Sequence, residues 1–418
     1  DYTINYKVKG TPTWLTFADG VSVLKSATVT GLIASTIYEF RVRVDYDTGS
    51  SSEWSSTTEG ETQPNSPLFG PYTAMNVGGS TTTTVVAFED STTITLNGVT
   101  LTTLNKGQSY TFTSVQFDYI DADKPIFTAG RRGSGSNTTK GNIVWQPTAW
   151  AGKSFSFNAT RETNQYLDVY AVEGTSIEIK QGSTILASTT LIAGATTTLS
   201  WTTQGSYQVT STGSILAFHI SGTTTRIVDP KPLLPDSTEI IGFPSKSMEM
   251  TTGTDGTNYN GIHSNSSTTS GSQNKSDVII INPQGGTTSL YQSESLLISA
   301  DQKIFGASYA DANGNCAAPF LPTSFMKTKY AIPVNGDYIA FASKSPGTIT
   351  VKNSSDATVT TLTLTRSGSA SNAPYKARLA NPTAGHRFIS TVPVGAWYQS
   401  NTDVGAADQD ETIMYGTN

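Results

Sequence analysis

Strict alternation of apolar and polar residues is the feature that most constrains this chain. It shows in Ser91-Thr-Thr-Ile-Thr-Leu96, Ser176-Ile-Glu-Ile-Lys180 and Thr348-Ile-Thr-Val-Lys352. A period of two sends successive side chains to opposite faces, so each run reads as a strand with one buried face. The runs stop at turn formers: Asn97-Gly98, Gln181-Gly182 and Asn353-Ser354. Nowhere do apolar residues recur at helical spacing across three turns. Charged residues, at 14%, are too few for a helical bundle or coiled coil, and aromatics, at 10%, are too many for a disordered chain. The fold class is all-β.

The formal charge of −6 argues against a nucleic-acid-binding body, which carries a basic footprint. No apolar run approaches the roughly 20 residues of a membrane helix. With Cys316 as the single cysteine, no intrachain disulfide forms, which suits a protein made in a reducing cytoplasm.

The second half copies the first. Ala122-Asp-Lys-Pro-Ile-Phe-Thr-Ala129 recurs as Ala300-Asp-Gln-Lys-Ile-Phe-Gly-Ala307, and Trp145-Gln-Pro-Thr-Ala-Trp150 as Phe320-Leu-Pro-Thr-Ser-Phe325. Tyr166 to Lys180 then matches Tyr338 to Lys352, so three matches follow in order at offsets of 178, 175 and 172 residues. A weaker echo lies inside each half, where Ile215-Leu-Ala-Phe218 and Pro393-Val-Gly-Ala-Trp397 repeat the Ile-Phe segments. Polar, proline-bearing stretches at Thr57–Pro67 and Asp229–Pro235 read as linkers, and Thr251–Ser276 reads as a long surface loop. The expected order is a sandwich fragment at 1–62, unit A at 67–228, unit B at 229–405, each of two related modules, and an acidic tail at 406–418.

Residues 1–62 carry Ile4-Asn-Tyr-Lys-Val8, Trp14, Ala27-Thr-Val-Thr-Gly-Leu32, Ser35-Thr-Ile-Tyr38-Glu-Phe-Arg-Val42 and Trp54-Ser55. This series resembles the later strands of a fibronectin type III domain, with Leu32 and Tyr38 as its tyrosine corner. The resemblance implies that Phe40, Val42 and Val44 point inward and Arg41 and Arg43 outward. It also implies that the first two strands come from chain preceding Asp1 or from a neighbouring subunit. The stretch Glu89–Pro125 is similar to β modules of the IgGFc-binding type. Such modules beside fibronectin type III units resemble structural proteins of tailed phages, notably of marine and cyanobacterial hosts.

Catalytic constellations are scarce. The histidines are His219, His263 and His386, none at metal-ligand spacing. His219 reads as a solvent-facing or hydrogen-bonded strand residue, His263 as solvent-facing, and Cys316 as a small buried apolar group. Asp311-Ala-Asn-Gly-Asn315 and Asp255-Gly-Thr-Asn258 resemble fragments of calcium loops, but each offers one carboxylate and reads better as a turn. Gly130-Arg-Arg-Gly-Ser-Gly-Ser-Asn137 reads as a hairpin tip able to meet an anion. Trp145, Trp150, Phe320 and Phe325 are either sugar-stacking platforms or shared packing positions, and packing is preferred. The sequons at Asn137, Asn158, Asn265, Asn274 and Asn353 follow from Ser/Thr abundance.

No catalytic, cofactor or metal residue is assigned. The expectation is a non-enzymatic virion protein, a fibre or surface-decoration subunit, made in a bacterial host's cytoplasm. Its expected partners are copies of itself, other virion proteins and a host surface glycan, without nucleic acid or membrane insertion. Weakly guarded strand edges argue against a free monomer. The alternative is a glycan-binding adhesin, secreted or on a bacterial cell surface.

Overall fold

The computed structural model describes residues 1–17, 29, 37–61, 72–79, 82–131, 142–143, 145–160, 162–222, 227–245, 247–275, 277–282, 293–309, 317–400 and 411–418. Its regular elements are strands and two single-turn 3-10 helices, Thr148–Trp150 and Thr323–Phe325, so the chain is all-β. It divides into two compact units, residues 1–68 with 192–194, and residues 69–191 with 195–418.

The smaller unit holds one antiparallel sheet in the order Leu15–Phe17, Tyr2–Val8, Ile37–Val44, Thr58–Glu61. Pairing of Tyr2, Ile4, Tyr6 and Val8 with Val44, Val42, Phe40 and Tyr38 gathers apolar residues on one face. Tyr38 is buried there, but Val42 and Val44 stay 40% and 47% exposed rather than pointing into a core. Among the described residues the four strands form a single layer, and one layer does not cover its own face. Arg41 and Arg43, expected in solvent, pack on indole rings. The Arg41 guanidinium lies 4.2 Å from the Trp14 ring centre and 4.4 Å from Trp54, and Arg43 lies 4.9 Å from Trp54. Leu32 lies outside the described residues.

The larger unit contains four modules, at 72–150, 152–233, 237–325 and 327–418, that share one strand scheme. In each, the third strand pairs with the fourth and the second with the fifth. The sixth lies between the first and third along its opening half, then between the second and seventh. The sixth strands are Tyr119–Ala122 with Ile126–Arg131, then Gly205–Gly222, Leu296–Tyr309 and Arg387–Ser400. Each crosses from one sheet to the other and so makes a corner of a sandwich.

The corner is a register slip. Gly152 faces Ile215 but Ser154 faces Thr210; Ser237 faces Ile304 but Glu239 faces Ser299; Lys327 faces Val394 but Lys329 faces Ile389. In the first module the strand breaks outright at Asp123-Lys-Pro125, where proline cannot donate to the ladder. The residue just past each corner, Ile126, Ile215, Ile304 or Val394, is fully buried. The marker Ala-Asp-Lys-Pro-Ile-Phe is thus a sheet-switching corner.

The two halves correspond pair by pair. Phe127 faces Val86 and Phe305 faces Thr251, and both phenylalanines are buried. Ile177 and Ile179 face Ser211 and Val209, as Ile349 and Val351 face Ser390 and Phe388. The hairpin turn at Asn97-Gly98 has φ of +50° and +79°, the left-handed pair that a tight two-residue turn requires.

Three expectations are corrected. Asp229–Pro235 is not a linker, because Ile227–Leu233 is the edge strand of the second module, a place where prolines' missing N–H groups cost no ladder bond. Thr251–Ser276 is not a loop, because it supplies the strands Thr257–His263 and Thr268–Gln273, whose outward positions are taken by polar residues such as Asn258, Asn260, Ser270 and Ser272. Residues 406–418 are not merely a tail: Glu411–Met414 is the seventh strand of the fourth module, with Ile413 fully buried.

The modules of this unit close on one another. Gln146 Nε2 donates to the Ala217 carbonyl at 2.8 Å, joining the first and second. Ser206 Oγ donates to the Asp277 carbonyl at 3.1 Å, joining the second and third. Trp397 Nε1 donates to the Pro319 carbonyl at 3.1 Å, joining the third and fourth. Arg387 Nη1 donates to the Phe88 carbonyl at 3.3 Å, and Lys106 pairs with Asp356, joining the fourth back to the first.

Candidate functional site

A cavity of about 490 Å³ opens where segments of both halves converge. Its wall includes Tyr72 and Thr73, the turn Pro147–Trp150, the copied turn at Ser324 and Phe325, then Lys327 and the segment Tyr415–Asn418. This volume falls in the range of small-ligand sites.

The first turn is set by Thr148 N–H donating to the Thr73 carbonyl at 3.2 Å and by Ala151 N–H closing on the Thr148 carbonyl at 3.0 Å. In the copy, Met326 N–H closes on the Thr323 carbonyl at 3.4 Å. The proline before each turn fixes an extended entry. The last wall is held by a bridge in which Thr417 N–H donates to the Lys329 carbonyl at 3.0 Å and Lys329 N–H donates back at 2.9 Å.

The floor is aromatic. Tyr415 stacks on Phe127 at 5.6 Å and meets Trp150 edge-on at 6.2 Å, and Phe127 in turn contacts Tyr330 at 6.5 Å. Burial pushes the phenols of Tyr330 and Tyr415 above their usual range, so both stay protonated. Tyr330 donates to the Val394 carbonyl at 2.5 Å. A Cβ on Gly416 would lie 2.6 Å from the Tyr330 ring and 2.7 Å from Lys327 Cβ, so only glycine fits that close approach. Trp150 and Tyr415 are buried, whereas Tyr72, Phe325 and Lys327 are half-buried and offer free faces to the cavity. The Thr73 hydroxyl is already committed to Asp121 at 2.7 Å and the Thr417 hydroxyl is buried, so Ser324 and Asn418 are the polar side chains left to meet a ligand.

The residues singled out in the sequence separate here. Trp145 is fully buried, donating to Thr83 Oγ1 at 3.1 Å, and Phe320 is buried against Gly242; both are packing residues. Trp150 and Phe325, their repeat-related companions, line the cavity. His219 is fully buried rather than exposed, bonded to Gln165 at 2.8 Å and packed on Phe157 at 4.6 Å. His263, expected in water, is buried in a strand, and burial pulls it down to about 4. His386 is half-buried and also lowered by burial, its Nδ1 accepting the Thr383 N–H at 3.3 Å.

Asp255 sits in a hairpin turn, accepting the Lys275 N–H at 3.0 Å. Of the sequons, Asn158 is buried and accepts Ser206 Oγ at 2.6 Å, while Asn265, Asn274 and Asn353 accept turn N–H groups. Asp311–Asn315, Cys316 and Arg132–Asn137 lie outside the described residues. Among the described residues no group of three or more His, Cys, Asp or Glu could hold a metal ion, and no helix is long and apolar enough to cross a membrane. Sequence reasoning missed Tyr72, Lys327 and Tyr415–Asn418. The apolar run Ile413-Met-Tyr415 was the available signal, masked by the acidic residues before it.

No known protein family matches this chain, and no curated protein matches it. Among solved structures it is similar to the crystal structure of Streptomyces avermitilis alpha-L-rhamnosidase complexed with L-rhamnose, at 10% identity and a TM-score of 0.17. The match covers 79% of this chain and 55% of that one, and at that score it carries no argument about function.

Proposed function

We propose that this chain is a non-enzymatic glycan-binding adhesin, secreted or held on a bacterial cell surface, with the cavity between its two halves as the binding site. The observation behind the reading is the composition of that cavity: the rings of Tyr72 and Phe325 beside the polar side chains of Ser324 and Asn418. A pyranose has an apolar C–H face and an equatorial rim of hydroxyls, which asks for that combination. Glycan hydrolysis calls for a pair of carboxylates, and the cavity's wall residues carry no carboxylate side chain. A glycan array probed with the whole chain tests the reading. Retention of defined glycans, reduced tenfold or more by Phe325→Ala in a variant of unchanged thermal midpoint, is the expected result. An array without a retained glycan overturns it.

A second reading, a phage fibre or surface-decoration subunit, is favoured by the outer edges. The fourth strands of the modules, Val99–Leu104, Thr184–Leu191, Thr268–Gln273 and Thr358–Thr363, contain no charged residue. Uncharged edges invite pairing with copies of the chain or with other virion proteins. Three of the four carry a bulge against their neighbour, which moderates that tendency. Finding the protein in a mass-spectrometric inventory of purified particles would favour this reading over the adhesin.

A further inference from the structure

We infer that the cavity selects an acidic sugar, a pyranose bearing a carboxylate, with Lys327 as the group that reads the charge; this rests on the glycan-binding reading above. Lys327 is the one charged side chain in the wall, and among the described residues its ammonium has no ion-pair partner. Its stem is held against Gly416, so the ammonium is delivered to the cavity from a fixed base. No carboxylate side chain lies among the lining residues.

Comparison of the two repeats sharpens the assignment. Pro147 and Thr148 are repeated unchanged as Pro322 and Thr323, but the positions that follow diverge: Ala149 against Ser324, Trp150 against Phe325, and Gly152 against Lys327. Gly152 cannot accept a side chain, because a Cβ there would lie 2.4 Å from Pro235. One half supplies an apolar wall and the other a hydroxyl, a ring with a free face and a cation. A ring seated by Phe325 and Tyr72 can turn its carboxylate towards Lys327 and its hydroxyls towards Ser324 and Asn418. Charge-assisted hydrogen bonds are roughly twice as strong as neutral ones, so selection falls mainly on the carboxylate.

Isothermal titration of the whole chain with matched pairs tests this: methyl glucuronide against methyl glucoside, and methyl galacturonide against methyl galactoside. The expected result is a preference of about tenfold or more for the acidic member of at least one pair, weakened by added salt. Lys327→Met removes the preference, and Lys327→Arg restores it. Equal affinity for both members of each pair overturns the inference and leaves the glycan-binding reading standing. A preference that persists in Lys327→Met also overturns it. No binding by any of the four sugars, together with an empty glycan array, overturns both.

Discussion

At the scale of single residues, the buried ionisable groups set how stability depends on pH. His263 is neutral in the fold because burial holds it at about 4, against an ordinary value near 6.5, with the Glu294 carboxylate opposing that effect. Between those two values the unfolded chain binds a proton that the folded chain refuses, so stability is full above about pH 6.5 and falls as pH drops towards 4. Lys376, paired with Glu294 at 2.8 Å, and Arg378 face the same group, and Glu294 is held below the usual carboxylate range, adding a loss at still lower pH. Urea midpoints measured from pH 7 to 4 are expected to fall, and His263→Asn to flatten that slope. Asp236 acts in the opposite sense. Burial raises it although Ser156 and Ser154 donate to it, so it costs stability as pH rises above about 4. Asp236→Ala leaves those donors unmet and should cost about 1–3 kcal/mol by chemical denaturation, Asp236→Asn distinctly less. Gly416→Ala forces a methyl group against Tyr330 and should cost about 1–3 kcal/mol by the same measurement.

At the scale of elements, what was legible in the sequence is the part that alternates. Ser176–Lys180 and Thr348–Lys352 show their strand character because one face is Ile or Val and the other is polar. The duplicated Ala-Asp-x-x-Ile-Phe segment was readable because a sheet-switching corner needs a short polar kink and then a fully buried residue. What failed to show were strands whose outward residues are Thr, Ser, Asn and Gly, as in Thr257–Gln273, where composition mimics a loop. The proline-rich edge strand deceived for the related reason that an edge tolerates residues an interior strand rejects. Of the cavity wall, Trp150 and Phe325 were visible in the sequence as repeated aromatics, read there as packing positions; Tyr415–Asn418 comes from a segment whose acidic lead-in hid its apolar core. Removing one buried ring of the corner, by Phe127→Ala, should cost about 3–5 kcal/mol in a denaturant titration, since it strips support from Tyr415 and Tyr330 together.

At the scale of the whole larger unit, the closure of the fourth module on the first decides how it unfolds. The Tyr415–Phe127 stack and the Arg387 bond to the Phe88 carbonyl join chain segments nearly 300 residues apart. Four modules linked in a row would melt piecemeal, as repeat arrays can. Four modules closed on themselves share their outermost contacts. Residues 69–418 are therefore expected to melt in a single calorimetric transition, and deletion of residues 411–418 to lower the midpoint of the whole unit. Two well-separated transitions in the intact unit would contradict this.

The two repeats place their copied turns on one cavity, and that bears on how many ligands the proposed site would take. A chain with two copies of a module pair would ordinarily be counted as bivalent. Each copy owns only half of this cavity's wall, so on the glycan-binding proposal the cavity takes one ligand, and neither half carries it complete when alone. The two walls belong to one polypeptide and need not match, as Gly152 and Lys327 at corresponding positions show.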